Sequence, residues 1–240
     1  MKSIEPGEGK PQIDIQRAYR IRIGLFLAAV ALGLPLLVIF WQFAGTLVRL
    51  NEVEIERDHW QRAADVIQAL NPTEGHVVVD LGCGSGYFAL KLSPAVGSRG
   101  RVLAEDIRAM ALLFLWTRAR LQGRHNIRVR HVSRDAPDLP EGAVDGVLVA
   151  NTFHELSNAG LILNEIYRSL RQGGRLVILD RGPRPEDREG GDMAARHHEM
   201  SAEAAVDGLR ESGFRLMSRQ DDFIDQPGNG RWWLLVAQKP

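Results

Sequence analysis

Apolar and polar positions divide the chain into three stretches of different character. Residues 1–22 are polar and mixed in charge, punctuated by Pro6, Gly7, Gly9 and Pro11, and read as a loose N-terminal tail. From Ile23 to Phe43 there is no charge, and Gln42 is the only strongly polar side chain. As a helix, 23–43 would rise about 32 Å, enough to cross a hydrocarbon core of about 30 Å. Arg17, Arg20 and Arg22 flank one end, and Trp41 sits where an interfacial aromatic belongs. Gly33 and Pro35 predict a kink in mid-span, which membrane helices tolerate. A signal peptide, a buried core helix and a monotopic hairpin broken at Pro35 compete with this reading. The run is long for a signal peptide, no small-x-small cleavage site follows it, and no charge appears until Arg49. The expectation is a single transmembrane helix over 23–43.

The third stretch alternates. Residues 44–72 carry Leu47, Leu50, Val53, Trp60, Ala64, Ile67 and Leu70, a spacing that suits one or two amphipathic linker helices ended by Asn71-Pro72. From 73 to 240 short apolar runs alternate with helical periods. Strands are predicted at 77–81, 101–105, 127–132, 144–150 and 174–180, and helices near 86–94, 108–122 and 158–171. A further helix at 202–212 is closed by Gly213. Two late runs, 214–224 and 231–238, suit an antiparallel edge hairpin that includes Trp232-Trp233 as packing residues. Strands buried on both faces and joined by helices define an α/β fold: a Rossmann-like, doubly wound, seven-stranded, mostly parallel sheet.

Composition narrows the classes. Thirty basic and thirty acidic residues cancel, so no bulk charge argues for nucleic acid. The single Cys83 excludes an internal disulfide and any zinc site of several thiolates. Orientation across a membrane is contested by two arguments. Lys10, Arg17, Arg20 and Arg22 before the span, against Arg49, Arg57 and Arg62 after it, lean toward a cytoplasmic N-terminus.

The chemistry concentrates after the first strand. Val77-Val78-Val79-Asp80-Leu81-Gly82-Cys83-Gly84-Ser85-Gly86 is a strand running into a G-x-G-x-G turn. Glycines let the backbone turn sharply and approach a ligand, and the following helix start offers unpaired N–H groups. The third glycine of the dinucleotide fingerprint is displaced, since Tyr87 follows Gly86, which favours a ligand without a pyrophosphate, such as an adenosyl amino acid. Asp106 ends the second strand, 20 residues beyond Gly86, where a carboxylate can accept both ribose hydroxyls. Strand alternation points Glu105 the other way.

Residues 60–180 resemble the class I S-adenosylmethionine (SAM)-dependent methyltransferases, especially the ubiquinone/menaquinone-biosynthesis and arsenite-methyltransferase type. The matching segments are the Gly-rich loop, Gly100-Arg101-Val102-Leu103-Ala104-Glu105-Asp106-Ile107, Asp135-Ala136-Pro137-Asp138-Leu139-Pro140, Val144–Asn151 and Leu170–Ile178. The family's Lys-Pro-Gly-Gly turn is Arg171-Gln172-Gly173-Gly174 here. The resemblance implies SAM as cofactor. It implies that Asp80, Gly82, Cys83, Gly84, Ser85 and Gly86 shape the methionine pocket, that Asp106 and Ile107 hold the ribose and adenine edge, and that Asp135 and Ala136 border the adenine. Asn151, Thr152 and His154 would lie near the sulfonium and the acceptor. His154 is the candidate general base, with loop capping or packing under the ligand as its alternative role. Cys83 reads as a packing residue rather than a nucleophile. Asp180-Arg181 ends the fifth strand and faces the acceptor region. His197-His198-Glu199 reads as a solvated cluster, with no metal expected.

The function these features imply is a membrane-anchored methyltransferase acting on a small-molecule or lipid acceptor. Because SAM is made in the cytoplasm, the chemistry puts the domain on the cytoplasmic side, against the charge count. The alternative is an accessory methyltransferase-like subunit of a membrane protein complex, since a fold does not ensure turnover.

Overall fold

Valine-, leucine- and isoleucine-rich runs pair into one sheet because its central strands can bury both faces only between two helical layers. The computed structural model describes residues 15–133, 136–182, 200–226 and 230–240. The chain divides into two units, Met1–Arg49 and Leu50–Pro240. The elements are α1 (Ile15–Trp60), α2 (Ala63–Leu70), β1 (Val77–Leu81), α3 (Tyr87–Val96), β2 (Arg101–Asp106), α4 (Ala109–Leu121), β3 (Ile127–His131) and β4 (Val144–Ala150). A single 3-10 turn (Phe153–Glu155), α5 (Ala159–Ser169), β5 (Leu170–Gly182), α6 (Ala202–Glu211), β6 (Arg215–Gln226) and β7 (Gly230–Gln238) follow.

The sheet order is β3-β2-β1-β4-β5-β7-β6. Strands β1 to β5 pair in parallel, and β7 runs antiparallel to both β5 and β6. The predicted seven-stranded, mostly parallel architecture with its edge hairpin is the one observed. Alternation along the strands feeds two cores. Val78, Val102, Leu148, Val177 and Trp232 pack toward α2, α3 and α4. Val79, Leu103, Val147, Ile178 and Trp233 pack toward α5 and α6. Helix starts are capped as the sequence allows: Asn158 accepts the Leu161 N–H and Ser201 accepts the Ala204 N–H. Gly213, at φ +84°, lets the chain leave α6 in a left-handed turn.

Three expectations change. The polar stretch before Arg22 is helical from Ile15 onward, because α1 starts there. The linker is not a separate helix: α1 continues without interruption through Pro35 to Trp60, and only α2 follows it. Arg171 to Gly174 lie inside a long β5 that starts at Leu170, and the register shift between Val144 and Gly146 absorbs the irregularity. Within the first unit, α1 is long and apolar enough by length and composition to cross a membrane, and none of its most apolar window is buried.

Candidate functional site

The strand order reverses between β1 and β4, and loops after those two strands frame the crevice where α/β sheets bind ligands. The Gly82 and Cys83 N–H groups both donate to the Glu105 carbonyl, at 2.8 and 3.0 Å, folding the Gly-rich loop back over β2. Gly82, at φ +75°, would put a Cβ 2.2 Å from Thr152 Oγ1, and Gly86, at φ +94°, one 2.2 Å from a Leu115 methyl. The glycines are thus required twice over, by left-handed backbone and by close contact on both sides.

Asp80 lies under this loop with 2% of its surface accessible, and its Oδ2 has no hydrogen-bond donor among the described residues. Burial raises its pKa to about 7; the Ala89 N–H and the Arg57 charge oppose this, and the Asp106 charge adds to it. Asn151, at φ +55°, has a buried Oδ1 that likewise finds no donor, while its N–H donates to the Leu179 carbonyl at 2.7 Å. Two buried acceptors without donors are costly in isolation and suit a ligand that brings N–H or O–H groups.

Asp106 closes β2 and is almost fully buried. It accepts the Gly84 N–H (2.7 Å) and the Arg108 N–H (2.8 Å), and the Arg108 guanidinium forks onto both oxygens at 3.1 and 3.2 Å. Burial would raise its pKa, but these four hydrogen bonds outweigh it and hold the group ionised below the usual range. The carboxylate expected to meet ribose hydroxyls therefore already holds an arginine. Arg108 is 66% exposed, so it is the partner that can swing away. Glu105 points to the opposite face, as expected, where burial raises its pKa to about 6 and Asp138 N–H donates to it at 3.2 Å. Ile107 is partly exposed, and its carbonyl lies 3.0 Å from His131 Nε2. Ala136 N–H donates to Ser133 O at 3.2 Å. Asp135, His197, His198 and Glu199 lie outside the described residues.

On the β4 side, Thr152 Oγ1 donates to the Ala150 carbonyl at 3.1 Å. His154 Nδ1 meets Asp180 Oδ1 at 2.7 Å, and its N–H donates to Oδ2 at 3.0 Å. Asp180, wholly buried at the end of β5, thereby fixes both ring and backbone, and Arg181 N–H adds a third bond to it. Burial lowers the His154 pKa, but the hydrogen bond and charge of Asp180 win, and it ends above the ordinary value. With Nδ1 as the donor, Nε2 is the nitrogen able to take a proton, and it lies 3.8 Å from a Glu155 oxygen. Cys83 is buried, which pushes its thiol pKa well up; it is a packing residue. No group of three or more metal-ligating side chains gathers among the described residues.

Sequence reasoning missed the wall contributed by the last turns of α1. Arg118 on α4 is 4% accessible and donates to the Ser85 carbonyl of the Gly-rich loop at 2.7 Å. The same guanidinium is paired bidentately with Glu54 and reaches Asn51 Oδ1 at 3.3 Å. Arg57 stacks 3.9 Å over the Tyr87 ring and donates to Gln61 Oε1 at 2.7 Å, and Tyr87 donates to Asp58 at 2.7 Å. Burial and Asp58 together hold the Tyr87 hydroxyl protonated. Partners 29 to 67 residues apart leave no local signal beyond an amphipathic helix.

A family model described as the ubiE/COQ5 methyltransferase family matches residues 39–186. A demethylmenaquinone methyltransferase of Geobacillus stearothermophilus is 25% identical over 142 residues, covering 59% of this chain and 61% of the relative. A chloroplastic 2-phytyl-1,4-beta-naphthoquinone methyltransferase of Arabidopsis thaliana is 30% identical, covering 60% of this chain and 56% of its own. The chain thus spans about three-fifths of the length of the curated relatives it matches. Among solved structures, a SAM-dependent methyltransferase from Aquifex aeolicus superposes with TM-score 0.65 at 23% identity, covering 81% of this chain and 98% of that one, a likeness of fold.

Proposed function

The chain belongs to the ubiE/COQ5 methyltransferase family, and from that premise we propose that it is a SAM-dependent methyltransferase acting on a lipophilic, quinone-type ring. The observation that carries the cofactor assignment is the unpartnered buried oxygen of Asp80 beneath the Gly-rich loop. An α-ammonium there would satisfy a carboxylate that is otherwise half protonated near neutrality. Gly82, Cys83, Gly84, Ser85 and Gly86 would cradle the methionine portion, Asn151 and Thr152 would border it, and Asp106 with Ile107 would take the ribose and adenine edge once Arg108 moves off. Asp135 and Ala136 remain the proposed adenine border. Bound SAM supplies an electrophilic methyl on a sulfonium, so the protein's share is alignment and exclusion of water.

His154 supplies the remaining chemistry in this reading. Its Nε2 takes a proton from the acceptor's hydroxyl, which makes the ring carbon a better nucleophile, while Asp180 keeps the tautomer and stabilises the imidazolium. The acceptor class is supported by the relatives, which are a demethylmenaquinone methyltransferase, a 2-phytyl-1,4-beta-naphthoquinone methyltransferase and a ubiquinone/menaquinone-biosynthesis C-methyltransferase. The apolar exposed helix supports a single membrane anchor over 23–43, with the domain on the cytoplasmic side where the cofactor is made.

Calorimetry of the full chain in lipid nanodiscs against SAM tests the cofactor, and methyl transfer from labelled SAM to demethylmenaquinol tests the acceptor. No heat at millimolar SAM would end the enzyme reading. Binding without transfer to any quinol would leave the accessory-subunit alternative.

A further inference from the structure

Helix α4 carries apolar side chains on both its inner and its outer face. Leu112, Leu115 and Ala119 fill the core, yet Met110, Leu113, Trp116 and Leu121 on the opposite side are 60%, 43%, 50% and 76% exposed. At 100° per residue these four fall within one arc of about 140°, which Thr117 and Arg120 share. Large apolar side chains gathered at high exposure on one helix face, with a cation among them, mark an interaction surface.

Arginines gather beside it. Between Gly97 and His131 there are eight arginines, and the two carboxylates in that stretch, Glu105 and Asp106, are both buried. Arg101, Arg120, Arg124 and Arg128 have no carboxylate within 4 Å among the described residues. Two cavities open between them. One of about 390 Å³ is lined by Trp116, Arg101, Arg120, Arg128 and Arg130; the other, of about 480 Å³, by Arg99, Arg101, Arg124, His125 and Arg128. Arg124 Nε is buried at the second with no acceptor among the described residues. A guanidinium N–H that has been desolvated and left unpaired is expensive, and it marks where an anionic oxygen fits.

We propose that this face, the outer side of α4 with the arginines at the starts of β2 and β3, docks on an anionic lipid surface. Apolar side chains including a tryptophan enter the headgroup boundary while the arginines meet lipid phosphates. Phosphate alone would need the arginines but not the exposed Met110, Leu113 and Leu121; a protein partner's apolar patch would need the reverse. Crossover helices run antiparallel to their strands, so with α4 flat on the bilayer the strands lie along the surface. The crevice at their carboxyl ends then opens sideways, level with the lipid, and is not blocked.

The docking rests on the membrane reading above, and the two can fail separately. Alkaline carbonate extraction of the full chain reports on the 23–43 span whatever the lipid charge. For the docking, a nitroxide on Leu113→Cys (Cys83 is buried) in the full chain is compared in nanodiscs of phosphatidylcholine alone and of phosphatidylcholine with phosphatidylglycerol. The label should gain oxygen accessibility and lose contact with a water-soluble nickel chelate only in the anionic discs. Arg120→Gln or Arg128→Gln should each lower the docked-to-free ratio about fivefold, as should added salt in a graded way. Met110→Cys serves as a second label position. A label equally wet in both discs overturns the proposal. So does shielding that ignores lipid charge and grows with protein concentration, which would make the occupant a second copy, or shielding that appears only when RNA is added.

Discussion

Under the proposed assignment, Asp80 makes cofactor affinity a function of pH in a range where few carboxylates titrate. Only its ionised form can pair with an α-ammonium, and burial holds its pKa at about 7 in the unliganded protein. If the protonated form does not bind, apparent Kd scales as one plus ten to the power of pKa minus pH. Affinity should then fall about fivefold between pH 7 and pH 6, and about tenfold for each further unit. Isothermal calorimetry in buffers of different ionisation enthalpy should also show proton release on binding. Stability moves the other way. The folded pKa lies above the unfolded value, so the contribution is complete below about pH 4 and is lost as pH rises through about 7. Asp80→Asn should therefore flatten the affinity profile at a weaker Kd, and above neutral pH it should stabilise the unliganded protein by on the order of 4 kcal/mol. A wild-type affinity that is flat from pH 7 down to pH 5, or an Asn variant with unchanged Kd, would refute the assignment of Asp80 as the ammonium partner.

Other outcomes follow from the same geometry. His154→Asn should lower kcat by about 100-fold or more with SAM affinity unchanged, and Asp180→Asn should shift the pH–rate midpoint downward, since Asp180 is what raises the His154 pKa. With the neutral ring as the proposed base, the wild-type rate should rise with pH through that midpoint. Gly86→Ala must displace Leu115 and hold alanine at φ +94°; a loss of about 1–3 kcal/mol in chemical denaturation is expected. Arg118→Met strands the half-buried Glu54 and the Ser85 carbonyl, and should cost about 3 kcal/mol while also weakening SAM binding. Arg108→Ala, by freeing Asp106, should leave SAM affinity equal or tighter in calorimetry, whereas Asp106→Ala should abolish it.

The parts of the fold legible in the sequence are those fixed by period and local sterics. Val77–Leu81, Val144–Ala150 and the late hairpin follow from apolar runs between turn residues, and the glycine turn follows from the left-handed backbone at Gly82, Gly84 and Gly86. What depends on pairing across the chain was not legible. Asp180 reads as a strand end, and its grip on His154 exists only because β5 lies beside β4. Arg108 sits two residues from Asp106, yet whether it forks back or faces solvent is a rotamer choice that spacing does not decide. The long α1 hid its own function for a related reason. Its apolar half dominates the pattern, while Glu54 and Arg57 in its polar half are wall residues that an amphipathic reading assigns to solvent.

The same wall ties the site to the far end of the chain. Arg62, just after α1, donates to the Phe223 carbonyl at 2.9 Å and stacks 4.3 Å from its ring, across 161 residues of sequence. Trp60 meets Trp232 at 5.8 Å. During synthesis the segment that braces the Gly-rich loop emerges well before its docking ground in β6 and β7. A chain interrupted before β6 would carry every residue of the glycine loop and still lack the Phe223 and Trp232 contacts that hold the end of α1. The brace behind the Gly-rich loop is thus complete only once β6 and β7 have folded against the end of α1.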